Sequence, residues 1–438
     1  MTKSLFEKCF AYGSGGIEEK AELLEKELKR NPPSYYEGLQ MVLLEGVKPV
    51  TKVRTPSGEV RDMLMFGSNS FLNLNHHPRV LEAGRRAAER FGSGNGSPPL
   101  YAGQTVIHEE LEEELARFCG TEAAVLFPAG YSGNLGVLSG LCRSGDTICC
   151  DADNHASLFD GVRLSGATFL PYPHLKPRRL EQRLLQREAS DHSPSSGGPS
   201  PLSGHGEKTE TGKNSGGLLI VSDGVFSMEG SLAPVDELVR LKERFGAFLM
   251  IDDAHGFWAV GPDGAGTAAC FGLRDKVDLH YGTFSKALGQ TGGFAAGKKS
   301  VINYLRYYAR SCFFSSGIAA VSAAEILESV RIVREEPEHL ERLRRNRDFF
   351  QKELEDAGFN TLNSRSAILP LLVGDEEKLG LFQKDLFRAG IFSNIGTTPA
   401  VSARKCRLRL NVMATHSREQ LARAAEILLE IGKKYEIV

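Results

Sequence analysis

From about Ala123 onward, short apolar segments alternate along the chain with longer segments of helical periodicity. The apolar segments are AAVLFPAG, DTICCDADN, GLLIVSDGVFS, AFLMIDDAHG and KVDLHYGTFSK, and each ends in polar or small residues. Apolar strands without strict alternation are typical of a parallel sheet that is buried on both faces. In such sheets, functional groups collect where the strands end. The pattern therefore predicts an α/β domain with its chemistry along one sheet edge.

The flanking regions have a different pattern. EEKAELLEKELKRN near the N-terminus and HPRVLEAGRRAAERFG further on are amphipathic and predict helices. Residues 320–358 form a long helical pattern interrupted by Pro337, followed by the strand patterns SAILPLLVG and CRLRLNV and a last helix, EQLARAAEILLEIGKKY. We predict an N-terminal helical segment (1–62), a large domain (63–312) and a smaller C-terminal α+β domain (313–438).

One internal segment lacks the residues of a packed core. Residues 187–217 are rich in Ser, Gly and Pro and almost free of large apolar side chains. Such a segment buries too little apolar surface to offset the entropy lost on ordering. We predict a disordered surface insertion, a tolerated loop being favoured over a docking segment.

Composition narrows the class of function. The 438 residues are 41% hydrophobic and 25% charged with a net charge of -2, which does not suit a nucleic-acid-binding protein. No apolar stretch is long enough for an integral membrane segment. Eight scattered cysteines without CxxC spacing predict reduced thiols in the cytoplasm and no metal site.

Four strand ends carry candidate reactive groups, and each also has a simple structural explanation. Lys286 in GTFSKALGQTGG has no acidic residue within four positions, but a lysine near glycines is usually a surface residue. Asp252 ends an apolar strand and could be a helix N-cap. His155 heads a helix and could be a cap or core residue. FPAGYSGNLG (127–136) is a small-residue turn that opens a helix, a common packing arrangement that can also hold phosphate.

Together, the four positions match the needs of one cofactor, pyridoxal 5'-phosphate (PLP). A lysine amine can bond to its aldehyde, a buried aspartate can keep its ring nitrogen protonated, and an imidazole can stack on its ring. The amides of the helix-opening turn and nearby hydroxyls can bind its phosphate. We therefore predict that Lys286, Asp252 and His155 are catalytic.

Several motifs occur in an order that resembles the α-oxoamine synthases, a family of fold-type I PLP-dependent enzymes. They are GSNSFLNL, GSGNGSPPLYAGQTVIHEELE, NHASLFDG, DGVFSMEG, DDAHG, TFSKALG and RLRLNVMATHS, and they span most of the chain. The sequences of the segments TFSK, ARSCFFSS and MATHS most closely resemble those of bacterial serine palmitoyltransferase-like members. The resemblance implies a fold-type I transferase with a seven-stranded-type sheet in its large domain.

The resemblance also implies roles for individual residues. Lys286 matches the lysine that carries the cofactor, Asp252 the pyridine partner and His155 the stacking imidazole. The remaining cofactor-binding positions are Gly130, Tyr131, Ser227, His255, Thr283, Ser315 and Ser316. The two serines match a segment that reaches the phosphate of the other subunit, which implies a homodimer with shared sites. Arg409 matches the residue that binds the amino acid carboxylate, and Asn69 an active-site asparagine.

The implied reaction joins a small amino acid (serine, glycine or alanine) to an acyl thioester of CoA or of an acyl carrier protein, with loss of carbon dioxide. A serine palmitoyltransferase-like activity in sphingolipid biosynthesis is favoured. The chain departs from the family pattern at Ser70 and Asn73 and at Pro98 and Pro99, which leaves the acyl donor open. Thr397 stands where oxononanoate synthases hold a distal carboxylate, so a dicarboxylic donor is disfavoured.

Several alternatives remain at this point. Activities of the 2-amino-3-ketobutyrate CoA ligase or 8-amino-7-oxononanoate synthase type use the same site. An aminotransferase or decarboxylase of fold type I would share Lys286 and Asp252. A non-catalytic regulatory subunit predicts loss of the lysine, which is present. A purely structural α/β protein would be colourless when purified.

Overall fold

The computed structural model describes residues 16–30, 36–191, 216–398 and 400–438. Its helices are α1 (Ile17–Arg30), α2 (Pro78–Phe91), α3 (Val106–Cys119), α4 (Gly130–Leu141), α5 (Ala156–Ser165), α6 (Pro177–Asp191), α7 (Val235–Phe245), α8 (Thr267–Cys270), α9 (Lys299–Tyr308), α10 (Arg310–Phe313), α11 (Ala320–Glu335), α12 (Glu338–Asp356), α13 (Glu376–Arg388) and α14 (Arg418–Lys434). The predicted insertion at 187–217 lies outside the described residues except at its two ends.

A seven-stranded sheet forms the centre of the large domain. Its strands are β4 (Ala123–Phe127), β5 (Thr147–Asp151), β6 (Thr168–Tyr172), β7 (Leu218–Asp223), β8 (Phe248–Asp252), β9 (Leu279–Thr283) and β10 (Gly293–Gly297). Their spatial order is β4-β10-β9-β8-β7-β5-β6, and only β10 runs antiparallel to its neighbours. All five residues of β5, β9 and β10 are buried. The predicted parallel sheet, buried on both faces, is confirmed.

The C-terminal region forms a smaller antiparallel sheet in the order β11-β14-β13. Its strands are β11 (Ile368–Leu372), β13 (Asn394–Gly396) and β14 (Arg407–Asn411). The long helical pattern breaks at Pro337 as predicted, since α11 ends and α12 begins on either side of it. Helix α11 packs on α2 and α3 of the large domain, so it connects the two regions.

The prediction that residues 1–62 are helical is wrong for their second half. After α1, the chain forms β1 (Val42–Leu43), β2 (Val50–Arg54) and β3 (Val60–Met65), which pair in order with β12 (Ile391–Phe392) from the C-terminal region. Strand β2 alternates exposed and buried residues, the pattern of a sheet with one covered face. Pairing of β3 with the distant β12 fixes these strands, and no local pattern reveals such a partner.

Two further findings concern the whole described chain. All described cysteines are free thiols, and all of them except Cys270 are buried. Among the described helices, none combines the length and apolarity that a membrane crossing requires.

Candidate active site

A cavity of about 350 Å³ lies along the edge of the seven-stranded sheet where the parallel strands end. Residues from the segments that follow β4, β5, β7, β8 and β9 surround it, as expected for a parallel sheet. The predicted residues that border it are Gly130, Tyr131, His155, Ser227, Asp252, His255, Thr283 and Lys286. The fold thus brings together the residues that the sequence singled out at four separate strand ends.

Asp252 is the last residue of β8 and is only 4% exposed. Its Oδ2 accepts a hydrogen bond from Asn134 Nδ2 at 2.6 Å, and its Oδ1 accepts one from the Ala254 amide at 3.0 Å. Burial raises the pKa of this carboxyl group, because the charged form loses its hydration. The raised pKa indicates that the carboxylate is suited to a cationic partner inside the cavity.

His155 lies both at the start of a helix and at the cavity. It is the N-cap of α5, where its side chain accepts from the Ser157 amide and its Nδ1 lies 2.7 Å from Ser157 Oγ. Its ring also borders the cavity, with its edge toward the ring of Tyr131 at a centroid distance of 6.0 Å. Partial burial and the charge of Lys286 lower the pKa of His155 against the opposing effect of Asp252. A neutral, fixed imidazole therefore forms one wall.

Lys286 is half-buried in the loop between β9 and β10. Its amine forms no hydrogen bond or ion pair with any residue that the structure describes. Burial, and then the positive charge of Arg409, lower the pKa of this amine, while Asp252 opposes them more weakly. A lowered pKa raises the neutral fraction, which is the form that attacks an aldehyde.

The backbone predicted to bind phosphate lies at the N-terminus of α4. Gly130 is the first residue of this helix, whose first amides have no partners within the helix. A Cβ at Gly130 would stand 2.3 Å from Thr283 Cγ2, so only glycine permits this approach of backbone and hydroxyl side chain. Ser285 Oγ lies 3.4 Å from Thr283 Oγ1. The backbone turn and two hydroxyls form one anion-binding corner.

His255 and Ser227 lie on the segments that follow β8 and β7. His255 is buried, and its Nδ1 has no hydrogen-bond partner among the described residues. Burial, together with nearby positive charges, places the pKa of His255 well below its ordinary value. A buried, unpartnered ring nitrogen at the cavity wall is expected where another molecule completes the site.

Arg409 and Asn69 meet beside the cavity but do not line it. Arg409 Nη2 donates to Asn69 Oδ1 at 2.9 Å, and Arg409 Nε donates to the Ser227 carbonyl at 2.6 Å. Arg409 is 5% exposed and has no acidic partner within the described part of the chain. Burial lowers its pKa to about 10. Among the described residues, this buried guanidinium therefore has no carboxylate to balance its charge.

Ser315 and Ser316 are not brought to this cavity. They follow α10 and lie partly or fully exposed on the surface of the same chain. Phe314 next to them is 69% exposed, Tyr101 is 71% exposed and Tyr307 is 63% exposed. Within one chain, these two serines therefore do not contribute to the cavity at which phosphate binding was predicted.

Sequence reasoning missed two residues that organise the site. Asn134 binds Asp252, and it lies four residues after Gly130 on α4, so both occupy one face of the helix. Asp223 at the end of β7 accepts from the His155 amide at 3.3 Å. The spacing of Gly130 and Asn134 could have revealed the first, whereas the second depends on the neighbouring positions of β5 and β7 in the sheet.

The donor set fits PLP. An unpaired lysine amine, a buried carboxylate, a fixed imidazole and an anion-binding corner border one cavity, and His255 retains an unused ring nitrogen. The model of the family "Aminotransferase class I and II" matches residues 61–428. Fold and site thus define the chain as a fold-type I PLP-dependent enzyme.

Individual relatives narrow the assignment. The chain is 39% identical to 8-amino-7-oxononanoate synthase of Geobacter metallireducens over 92% of this chain and 99% of that protein. It is 39% identical to serine palmitoyltransferase of Sphingobacterium spiritivorum over 86% and 88% of the two chains. A serine palmitoyltransferase structure with PLP bound aligns with a TM-score of 0.85 and 26% identity, covering 97% of this chain and all of that one. The chain belongs to the α-oxoamine synthases, as the motifs predicted.

Proposed function

We propose that this enzyme condenses a small amino acid with an acyl thioester and releases carbon dioxide, giving an α-aminoketone. The observation that carries the proposal is the buried, acid-free Arg409 beside a cavity that also contains the unpaired Lys286. An arginine so placed binds an amino acid carboxylate, and the lysine is free for proton transfer. Relatives named 8-amino-7-oxononanoate synthase and serine palmitoyltransferase support the same reaction class.

The cofactor supplies an electron sink that stabilises negative charge at the amino acid Cα. The chain's own residues do the rest. Asp252, held by Asn134 and the Ala254 amide, would keep the ring nitrogen of the bound cofactor protonated. The Lys286 amine, with its lowered pKa, removes the Cα proton and later returns one. The planar guanidinium of Arg409 orients the carboxylate through two donors.

Among the members of the family, a serine palmitoyltransferase-like activity is favoured. Thr397, whose carbonyl accepts from the Val401 amide at 3.1 Å, offers no positive charge for a distal carboxylate on the acyl group. An 8-amino-7-oxononanoate synthase-type activity is the second candidate, because three of its namesakes are 36% to 39% identical over at least 89% of this chain. A donor without a terminal charge fits Thr397 better.

We also propose a homodimer with shared sites. The exposed Phe314 adjoins Ser315, and the exposed Tyr101 contacts Phe313 in the same segment. Aromatic side chains are enriched at protein interfaces. Mixing a Lys286→Ala chain with a Ser315→Ala/Ser316→Ala chain tests this arrangement. If sites are shared, mixed dimers contain one intact site and regain activity. If each chain binds the phosphate alone, the Ser315→Ala/Ser316→Ala chain keeps its activity by itself and mixing adds nothing to it.

The substrate experiment combines two titrations of purified holoenzyme. Each amino acid is added while the cofactor absorbance is followed, and then acyl-CoAs of graded length and acyl-loaded carrier protein are added while free thiol is measured. Serine with a long uncharged acyl donor is expected to release thiol fastest. Faster turnover with a donor that carries a terminal carboxylate would favour the second candidate, and a requirement for a keto acid would indicate an aminotransferase.

A further inference from the structure

A series of four charged side chains, Asp151, His174, Glu229 and Arg407, alternates in sign and links the large domain to the C-terminal region. The four come from the end of β5, from the segments after β6 and β7, and from β14. We propose that Glu229, through its pairing with Arg407, is a positioning residue for Arg409. This inference rests on the proposed function, in which Arg409 binds the amino acid carboxylate.

The two arginines project from the same face of β14. Residues two positions apart on a strand share a face, so Arg407 and Arg409 lie on one side and Leu408 and Leu410 on the other. Both leucines are fully buried in one apolar cluster. The arginines are buried too, at 1% and 5% exposure. A buried charged face needs partners in the segment that it packs against.

The partners of this face are three consecutive residues after β7. Arg409 Nε donates to the Ser227 carbonyl at 2.6 Å. Arg407 Nη1 donates to the Met228 carbonyl at 3.4 Å and to Glu229 Oε1 at 3.1 Å. Of these three contacts, only the one with Glu229 joins opposite charges, and such hydrogen bonds are the stronger ones. Glu229 therefore fixes where β14 lies against this segment, and with it the guanidinium two residues further along.

His174 holds Glu229 from the other side. Its Nε2 lies 3.1 Å from Glu229 Oε2, and its Nδ1 lies 2.9 Å from Asp151 Oδ1. Carboxylates only accept, so both ring nitrogens donate and the ring is an imidazolium. Burial opposes this charge, but the hydrogen bonds to Asp151 and Glu229 raise the pKa of His174 to about 9. Each carboxylate oxygen of Glu229 thus has a cation of its own, which fixes the side chain at both ends.

Asp151 connects the series to the seven-stranded sheet. It is the last residue of β5, is 1% exposed, and accepts from the amides of Asp153 and Leu175, both at 2.9 Å. His155, which borders the cavity, follows four residues later. The series therefore begins close to the imidazole wall of the cavity and ends two residues before Arg409, so it fixes these two parts of the site relative to each other.

Double-mutant cycles with Arg409→Ala test the proposal, with amino acid binding to the holoenzyme read from the cofactor absorbance. Glu229→Gln removes the charge and keeps the size of the side chain. Arg407→Gln leaves Glu229 paired with His174, so it isolates no carboxylate and serves where the first variant misfolds. Each should weaken amino acid binding roughly tenfold, within the range of coupling between residues in contact. The KM for the amino acid should rise while kcat stays within about threefold.

The Arg409→Ala background separates positioning from a general contribution to stability. Loss of any buried charge pair can lower the melting temperature. Only a residue that acts through Arg409 loses its effect on binding once that guanidinium is absent. In Arg409→Ala, neither Glu229→Gln nor Arg407→Gln should weaken amino acid binding further.

Glu181→Gln is the matched control. Glu181 accepts from Arg240 at 2.9 Å and is 18% exposed, against 17% for Glu229, but this pair joins α6 to α7. The control should bind the amino acid as the wild type does, and melting temperature and cofactor content are measured for every variant. Wild-type binding by both Glu229→Gln and Arg407→Gln, or an equal loss in the Arg409→Ala background, would overturn the proposal. Wild-type binding by Arg409→Ala alone would instead remove the proposed function on which it rests.

Discussion

Replacing Arg409 should remove most of the enzyme's affinity for its amino acid substrate. The guanidinium is 5% exposed, donates to Asn69 Oδ1 and to the Ser227 carbonyl, and has no acidic partner among the described residues. Its position beside the cavity leaves a substrate carboxylate as its natural counter-charge. Arg409→Ala removes that interaction, and Arg409→Lys keeps the charge but loses the two-pronged geometry.

The size of the effect follows from burial. Burial lowers the pKa of Arg409 from its ordinary value to about 10. Each pKa unit corresponds to about 1.4 kcal/mol, so isolating this charge costs about 3 kcal/mol. A carboxylate that pairs with the guanidinium recovers an energy of this order, in agreement with the roughly 2–5 kcal/mol lost when one partner of a buried charge pair is removed. Arg409→Ala should therefore weaken amino acid binding by roughly a hundredfold, and Arg409→Lys by less.

The assay is an amino acid titration of the holoenzyme, read from the change in cofactor absorbance. Arg404→Ala is the matched control, because Arg404 precedes the same strand but is exposed. The control should bind the amino acid as the wild type does, and all variants should retain the cofactor. Amino acid binding by Arg409→Ala within about threefold of wild type would refute the assignment of this residue, since threefold corresponds to well under 1 kcal/mol.

Three further predictions concern the cofactor site. Burial and Arg409 lower the pKa of Lys286, and Asp252 raises it. The pH at which the Lys286 amine of the apoprotein reacts with fluorodinitrobenzene should therefore rise in Arg409→Ala and fall in Asp252→Asn. Peptide mass spectrometry measures this reaction against pH, and an unchanged pH profile in both variants would contradict the prediction. Gly130→Ala places a Cβ 2.3 Å from Thr283 Cγ2 and should weaken PLP binding at least tenfold in a fluorescence titration, whereas Gly94→Ala, with no atom within 4 Å, should not. Asn134→Ala removes the hydrogen bond that lowers the pKa of Asp252. Losing a hydrogen bond to a charged group should reduce kcat roughly 10- to 100-fold. An unaffected kcat would show that Asn134 does not orient Asp252.

The sequence predicted those strands whose apolar pattern is continuous. Strands β5, β7 and β8 are almost fully buried and rich in Ile, Val, Leu and Cys, so their pattern is strong. Strand β10 was not predicted, because GFAAG has glycine at both ends and becomes a strand only by pairing with β4 and β9. Strands β1 to β3 were not predicted; they pair with one another, and the sheet is completed by β12, which pairs with β3 and lies more than 300 residues away in the chain.

The sequence could predict those site residues that lie at the ends of strands. Asp252 ends β8, while Lys286 and His155 follow β9 and β5, and parallel strands bring their ends to one edge. The hydrogen bond from Arg409 to the Ser227 carbonyl joins two domains, and the approach of Gly130 to Thr283 depends on sheet order. Contacts of this kind arise from packing between distant segments, which local patterns do not encode.

The central claim is that Lys286 is the residue to which the cofactor is bonded. Borohydride reduction of the holoenzyme makes that bond permanent, and peptide mass spectrometry then locates it. We predict a pyridoxyl-phosphate modification on the peptide that contains Lys286, and none in Lys286→Ala, which should also lose the absorbance near the violet edge of the visible range. Modification of a different lysine, or an unmodified Lys286 in protein that retains its colour, would contradict the account.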